Sequence, residues 1–307
     1  MQNIKTQFGF TKVADGEKQP LVSEVFSSVA SSYDVMNDAM SMGVHRLWKQ
    51  AMVDQMRLTP GLTLLDVASG TGDIVKLAKS RQPSLNVIST DINADMLGAG
   101  RRQQFDKVGL QNTPVDTKSK SVDEPAMSAR SAAPCKSQKA FTGAKNKNPQ
   151  PGKAWIPASA GMTNDSAGVT GAFNYTVADG SALPFASSIT DRISIAFGIR
   201  NIPDIPAALK EFHRCLKPGG KFVCMEFSKP SITWLETVYD SYSFNVIPWL
   251  GEKIGKDKGA YLYLVESIRT FPTQDQFASM IREAGFERTS YTNLSGGIVA
   301  IHSGVKI

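Results

Sequence analysis

The segment Leu65–Asp73, with the sequence LDVASGTGD, decides the fold of this chain. It begins within a short apolar run, Thr63–Val67, that is typical of a buried strand, and the residues after Gly72 have the spacing of a helix. Glycines between a strand and a helix let the backbone approach a ligand closely, and the first amides of the helix are free to donate. Val75 stands where a dinucleotide-binding fingerprint has its third glycine, which argues against a nicotinamide oxidoreductase.

Strand and helix patterns alternate from this segment towards the end of the chain, which predicts βαβ units and a parallel sheet. The predicted strands are Thr63–Val67, Asn86–Asp91, Phe173–Val177, Arg192–Phe197 and Lys221–Phe227, and the predicted helices are Asp73–Arg81, Asn93–Lys107 and Ile205–Leu216. A turn at Lys217–Gly220 separates the last helix from the fifth strand, and Phe286–Asn293 with Ile298–His302 predicts a terminal antiparallel hairpin. The expected architecture is an α/β Rossmann-like fold with a mostly parallel sheet and an N-terminal helical extension at Pro20–Met56.

Residues 113–171 differ in composition from the rest of the chain. They are rich in Ser, Ala, Lys, Pro and Gly, and they show no sustained hydrophobic period. Such a segment buries too little apolar surface to offset the entropy of ordering it, so we expect a disordered insertion within a single domain that spans 1–307. A small subdomain around Trp155 and Ile156 is the alternative.

Composition excludes several functional classes. The three cysteines form no C-x-x-C pair and the three histidines are scattered, so neither a disulfide framework nor a metal site is expected. Eight Lys/Arg against four Asp/Glu in 113–171 account for +4 of the formal charge of +6, so the basic excess does not predict nucleic-acid binding. No apolar run suits a membrane span or a signal peptide, and we expect a cytoplasmic protein, either free or peripheral at the inner face of the membrane.

Two further polar elements follow predicted strands. Asp91 ends the second strand, nineteen residues after Gly72, where an acidic side chain can accept hydrogen bonds from ribose hydroxyls. Asp179 and Gly180 follow the third strand. Because ligands of open α/β sheets bind at the carboxyl ends of the strands, these elements together resemble the nucleoside site of Rossmann-like S-adenosyl-L-methionine methyltransferases. Helix capping is the alternative role for Asp91.

Longer motifs narrow the resemblance to the ubiquinone and menaquinone biosynthesis C-methyltransferases. The motifs are Phe8–Phe10, Tyr33–Asn37, Met40–Lys49, Phe197–Asn201, Arg214–Gly220 and Met225–Ser228. This resemblance implies S-adenosyl-L-methionine as cofactor and methylation of a ring carbon on a polyprenylated benzoquinol or a demethylmenaquinol. The cofactor-binding residues predicted in this way are Asp66, Gly70, Thr71, Gly72, Asp91, Asp179 and Gly180. Ser69 replaces a usual glycine of the family, and Ala196 replaces a usual serine that contacts the cofactor.

The reaction implied by the resemblance needs an ionised phenol beside the methyl donor, because the phenolate makes the neighbouring ring carbon nucleophilic. Arg200 is the best candidate for stabilising the phenolate, and Asn201 is a second donor for the same oxygen. Asp204 and His45 are candidate bases, with helix capping and a structural role as their respective alternatives. An anchoring ion pair is the alternative role for Arg200.

Aromatic residues are concentrated in Trp234–Phe271, with eight in 38 residues, which predicts a cover for a polyprenyl tail or, alternatively, ordinary core. The Met-rich preamble Pro20–Met56 predicts either ordinary core or a flexible lid over an apolar substrate. Two alternative functions stay open: a non-catalytic scaffold of a quinone-synthesis complex, and a methyltransferase for another lipophilic phenol. Peripheral membrane or complex association and a homodimer are also compatible with the sequence.

Overall fold

The structure is a computed structural model that describes residues 5–14, 16–29, 38, 41, 43–100, 173–230, 242 and 258–307. The predicted insertion 113–171 lies outside the described residues, as do the end of the helix predicted to reach Lys107 and most of the aromatic segment Trp234–Phe271. Tyr33, Met36, Met40 and Met42 of the preamble lie outside them too.

A seven-stranded sheet carries the fold. Its strands are β3 (Thr63–Val67), β4 (Asn86–Asp91), β5 (Phe173–Val177), β6 (Thr190–Ala196), β7 (Leu216–Phe227), β8 (Glu287–Leu294) and β9 (Val299–Val305). They lie in the order β5-β4-β3-β6-β7-β9-β8. The strands β3 to β7 pair in parallel, whereas β9 pairs antiparallel with both β7 and β8. The predicted parallel sheet with a terminal antiparallel hairpin is therefore confirmed.

Both faces of the sheet are covered by helices. The helices are α1 (Lys18–Val29), α2 (His45–Met56), α3 (Asp73–Arg81), α4 (Ile205–Cys215), α5 (Lys258–Thr270) and α6 (Gln274–Glu283), and residues 94–100 are helical as well. Leu64 of β3 packs in a core with α2 and α3, while its neighbour Leu65 packs in a second core with α4 and α6. Successive residues of a strand point to opposite faces, so a strand buried on both faces is a continuous apolar run.

Two local features differ from the sequence-based expectation, whereas the preamble is helical as predicted. A two-stranded hairpin, β1 (Lys5–Phe8) and β2 (Thr11–Ala14), precedes α1 and was not predicted. The strand β7 begins at Leu216, which pairs with Thr190 before the register shifts, so the predicted turn lies inside the strand as a kink at Gly219, where φ is +79°. The preamble contains two helices, α1 and α2, among its described residues.

Candidate active site

The loop that follows β3 has an unusual backbone. Ala68, Gly70 and Gly72 all have positive φ, at 51°, 53° and 80°. The loop also lies against the helix at 94–100, since a Cβ placed on Gly100 would lie 2.8 Å from the carbonyl carbon of Thr71. Positive φ at a non-glycine residue is uncommon and costs energy, so the conformation of Ala68 shows that the backbone of this loop is constrained.

Asp91 holds this loop in place. Its Oδ2 accepts the amide of Gly70 at 2.8 Å, and its Oδ1 accepts the amide of Asn93 at 2.8 Å. Burial raises the pKa of the Asp91 carboxyl, although these backbone amides favour the charged form. The helix at 94–100 is capped by Asn93, whose Oδ1 accepts the amides of Asp95 and Met96. Asn93, and not Asp91, is therefore the residue that caps this helix. Each carboxylate oxygen of Asp91 keeps a lone pair that can accept a hydrogen bond from a ligand.

The loop after β5 brings the third predicted element to the same place. Asp179 Oδ1 accepts both the amide and the hydroxyl of Ser181 at 2.8 Å. A Cβ on Gly180 would lie 2.8 Å from Cδ1 of Ile202, so this loop touches the loop that follows β6. The carboxyl ends of β3, β4, β5 and β6 thus converge, as the sequence predicted.

A cavity of 510 Å³ opens where these loops meet. All the predicted cofactor residues except Gly72 line it, and so do Arg200, Asn201 and His45. Ala196 also lines the wall, without the hydroxyl that the family usually has there. The apolar part of its wall includes Val22, Trp48, Ile92, Met96, Phe197, Ile202, Phe227, Tyr261, Leu264 and Ile268.

Two buried polar atoms in or beside the loop at 68–72, called the Gly-rich loop below, have no hydrogen-bond partner among the described residues. Asp66 is 1% exposed, its Oδ1 accepts from the Ser194 hydroxyl, and its Oδ2 accepts from no donor. Burial raises the pKa of the Asp66 carboxyl to about 7. The Ser69 hydroxyl is likewise buried and unpaired. Buried polar atoms without partners are rare in proteins, so both atoms are candidates for hydrogen bonds to a polar ligand.

Lys49 of α2 borders the same part of the cavity. Its Nζ lies 2.7 Å from Oδ2 of Asp73, and its side chain is 13% exposed. An ammonium group has three donors, and Asp73 accepts from only one of them. Lys49 belongs to the motif Met40–Lys49, which supports the family resemblance, but no pattern in the sequence assigns a role to this lysine.

Arg200 lies in a single 3₁₀ turn after β6, Ile199–Asn201, and it is 7% exposed. Its Nη1 donates to Oε1 of Glu226 and to the carbonyl of Phe197, both at 2.6 Å. The guanidinium also lies 5.7 Å from the centre of the Phe227 ring. The ion pair offered as the alternative to catalysis is therefore present, while the residue also lines the cavity.

The other predicted catalytic residues fall in different places. Asn201 lines the cavity, and its Oδ1 accepts from the hydroxyl of Tyr263 at 3.0 Å. His45 is 8% exposed, with Nδ1 at 2.7 Å from the Ser41 hydroxyl and Nε2 at 3.7 Å from Asp38. Burial and then the nearby Lys49 lower the pKa of His45, which keeps the imidazole neutral.

Asp204 is not part of the cavity wall. It is exposed to solvent and caps α4, with its Oδ1 accepting the amide of Ala207 at 2.9 Å. A capping carboxylate so placed is not in reach of an acceptor in the cavity. The suggestion that Asp204 is the base is therefore corrected to its alternative, the helix cap.

The fold is shared with solved methyltransferases. A chain of the Haloferax volcanii complex between the Trm112 methyltransferase activator and a methyltransferase aligns with a TM-score of 0.51 and 14% identity, over 91% of this chain and 96% of that one. Phosphoethanolamine N-methyltransferase 2 of Haemonchus contortus, in complex with S-adenosyl-L-methionine, aligns with a TM-score of 0.53 and 11% identity, over 96% of this chain and 62% of that one. The chain has the fold of the class I S-adenosylmethionine-dependent methyltransferases.

Sequence relatives define the family within that class. A model of the ubiE/COQ5 methyltransferase family matches residues 11–123 and 160–306. The chain is 42% identical over 309 aligned positions to the ubiquinone/menaquinone biosynthesis C-methyltransferase UbiE of Rickettsia bellii, with 99% of both chains covered. The UbiE of Rickettsia rickettsii is 42% identical over 305 positions, covering 97% of this chain and 98% of the relative. The chain belongs to the ubiE/COQ5 methyltransferase family, which confirms the predicted family and enzyme class.

Proposed function

We propose that this protein transfers a methyl group from S-adenosyl-L-methionine to a ring carbon of a polyprenylated benzoquinol, a demethylmenaquinol or both. One observation carries the proposal: in this member of the family, one cavity joins the loops that contain Gly70, Asp91 and Asp179 to Arg200 and Asn201. No feature of the site favours a scaffold or another phenol as substrate.

The donor end of the cavity suits a nucleoside with an amino-acid tail. Asp91 accepts the ribose hydroxyls, while Ile92 and Met96 lie beside it as apolar contacts for a base. The unpaired Asp66 oxygen suits the α-ammonium group of the tail, and Lys49 with Ser69 suits its carboxylate. When bound, S-adenosyl-L-methionine supplies an electrophilic methyl group at its sulfonium.

The acceptor end of the cavity is aromatic and contains one buried ion pair. Trp48, Phe197 and Phe227 provide ring faces against which a quinol head group can stack. Arg200 and Asn201 lie beside them and stabilise the phenolate oxygen as it forms. Alignment of the ring carbon with the methyl group alone contributes roughly 7–11 kcal/mol to such reactions.

A proton must leave in this reaction, because the ring carbon gains a methyl group and loses its hydrogen. His45 is a neutral imidazole in the cavity wall, and Asp38 beside it stabilises the imidazolium. We assign His45 as the base. Because the polyprenyl tail of the acceptor is lipophilic, we further propose that the enzyme meets its acceptor at the membrane surface. Among the helices that the structure describes, none has the length and apolar character needed to cross a bilayer.

Complementation tests this function. The gene is introduced into a strain that lacks quinone-ring C-methylation, and the extracted quinones are identified by mass spectrometry. We expect the methylated quinones to reappear. Accumulation of the demethylated precursors, with the protein folded and present, would contradict the proposal. An Asp91→Ala variant is the matched negative control, since it removes the ribose acceptor.

A further inference from the structure

Lys18 is a buried lysine that the proposed chemistry does not use. It lies near the start of α1 and is 5% exposed. Its Nζ donates to the carbonyl of Arg200 at 3.1 Å and to the carbonyl of Ile202 at 3.3 Å. These residues are 182 and 184 positions away in sequence, so α1 is joined directly to the loop that carries Arg200 and Asn201. A lysine is almost never fully buried without a specific partner.

The charges around Arg200 do not cancel once Lys18 is counted. Glu226 is 1% exposed and neutralises the Arg200 guanidinium at 2.6 Å. The pair therefore contributes little net charge to the cavity. Lys18 adds a second cation, which is hydrogen-bonded to the backbone of the same turn. The cluster of Lys18, Arg200 and Glu226 therefore carries one net positive charge. Such a charge favours a phenolate over a phenol in the adjacent cavity.

The other carboxylates near Lys18 form no ion pair with it among the described residues. Glu266 of α5 accepts the amide of Phe10, and Glu17 accepts the amide of Ala14. Tyr263 of α5 lines both the main cavity and a smaller one that Lys18 borders, and burial raises the pKa of its phenol to about 12, so it stays neutral. Glu226 is thus the carboxylate that pairs with Arg200, and Lys18 forms no ion pair with a carboxylate among the described residues.

The helix that bears Lys18 also contacts the donor side of the site. Gln19, Val22 and Ser23 of α1 line the main cavity. Asn93, the cap of the helix that follows Asp91, donates from Nδ2 to the Ser23 carbonyl at 3.4 Å and to the Ser27 hydroxyl at 3.0 Å. The position of α1 thus depends on the donor loop as well as on the Arg200 turn.

We propose that Lys18 is a positioning residue of the methyl transfer, which fixes the Arg200 turn from α1 and supplies the net positive charge that favours the acceptor phenolate. This inference rests on the proposed function. Burial and the nearby Arg200 lower the pKa of Lys18 to about 8, so the charge is present at neutral pH and is lost above it. The fully protonated cluster therefore exists on the acidic side of pH 8.

The test compares Lys18→Met, Lys18→Gln and Lys18→Arg with Lys306→Met. Lys306 is a matched control because its Nζ also donates to backbone carbonyls, those of His213 and Leu216 at 2.8 Å, but outside the cavity wall. Each variant is assayed for kcat against pH with a short-chain quinol, for the dissociation constant of S-adenosylhomocysteine, and for the absorbance pKa of a bound nitrophenol analogue of the head group.

We expect Lys18→Met and Lys18→Gln to lower kcat at pH 7 about tenfold, the scale of one charge acting over roughly 10 Å at an effective dielectric constant near 20. Both should raise the pKa of the bound nitrophenol. Lys18→Arg should keep most of the kcat and lose the decline of kcat above pH 8, while the control changes neither. Dissociation constants should stay unchanged throughout.

Two results separate the possible failures. An active wild-type protein whose Lys18→Met and Lys18→Gln variants keep kcat and the nitrophenol pKa would overturn the inference alone, even if those variants melt at lower temperature. A wild-type protein that binds S-adenosylhomocysteine but methylates no quinol would instead contradict the proposed function.

Discussion

Removing the charge of Arg200 tests whether the buried ion pair serves catalysis or only the fold. Arg200→Met leaves the Glu226 carboxylate without its ion-pair partner. Glu226 is 1% exposed, and burial already raises its pKa. Breaking a buried pair on one side costs about 3–5 kcal/mol. At roughly 2–4 °C per kcal/mol for a domain of this size, the melting temperature should fall by about 10 °C. Turnover should fall by roughly 10²–10³, the scale for losing one donor that stabilises the transition state.

The assay combines thermal unfolding, titration with S-adenosylhomocysteine and kcat between neutral pH and the phenol pKa. We expect the dissociation constant to stay unchanged, because Arg200 makes no contact with Asp91 or the Gly-rich loop among its observed hydrogen bonds. The deficit in kcat should shrink as pH rises, since solvent then supplies the phenolate.

Glu226→Gln is the matched variant, because it leaves the Arg200 guanidinium without a carboxylate partner. It should lose a similar amount of stability, yet the unpaired guanidinium should move the acidic limb of the pH profile for kcat to lower pH. The double variant Arg200→Met with Glu226→Gln removes both charges and should regain much of the melting temperature. If Arg200→Met lowers stability and cofactor affinity together, with a kcat deficit that is constant with pH, Arg200 is an anchor of the turn and the catalytic assignment is refuted.

Four further outcomes follow from the structure. Asp91→Ala should weaken S-adenosyl-L-methionine binding by about 1.5–3 kcal/mol, the range for hydrogen bonds to a charged group, and an unchanged dissociation constant in a folded variant would contradict the ribose assignment. Lys49→Met should weaken the binding of S-adenosylhomocysteine about tenfold or more but leave the binding of 5′-methylthioadenosine, which lacks the amino-acid tail, unchanged. The control Lys76→Met removes the other lysine that contacts Asp73 (3.5 Å), and because Lys76 lies outside the cavity wall, this variant should bind both ligands normally. Equal losses of affinity for both ligands in Lys49→Met would refute the assignment of Lys49 to the amino-acid tail. Burial lowers the pKa of His302 to about 4, so the folded state binds fewer protons than the unfolded state between pH 4 and 6.5. Stability should therefore fall as pH drops through that window, and His302→Gln should flatten this part of the denaturation profile; an unchanged slope would exclude His302 as its source. Replacing 113–171 by a short linker should preserve the melting temperature and cofactor affinity, and loss of folding would show that the segment is structural.

The sequence predicted which loops lie together on the donor side of the cavity, because the signals for these loops are local. The strand, the Gly-rich turn and the following helix lie within Thr63–Arg81, and Asp91 lies at the end of the next strand. Parallel pairing then brings the strand ends together without further information. The departures at Ser69 and Ala196 were also visible in sequence, and both residues line the cavity.

The acceptor side could not be predicted to the same depth because its partners are distant in sequence. Arg200 was selected from its motif, but Glu226 lies 26 residues away on β7 and Lys18 lies 182 residues away on α1. Both partners depend on tertiary packing. Asp204 was ambiguous between base and cap because a carboxylate before a helix is typical of both roles, and the geometry resolves it as a cap.

Methyl transfer to a quinol ring carbon is tested most directly with S-adenosyl-L-methionine that carries a trideuterated methyl group. The purified protein is incubated with this donor and with a demethylated short-chain quinol, and the product is fragmented in a mass spectrometer. We expect one intact trideuteromethyl group to replace one hydrogen on the ring carbon. A label found on an oxygen, or no label in the quinol while S-adenosylhomocysteine binds normally, would contradict it.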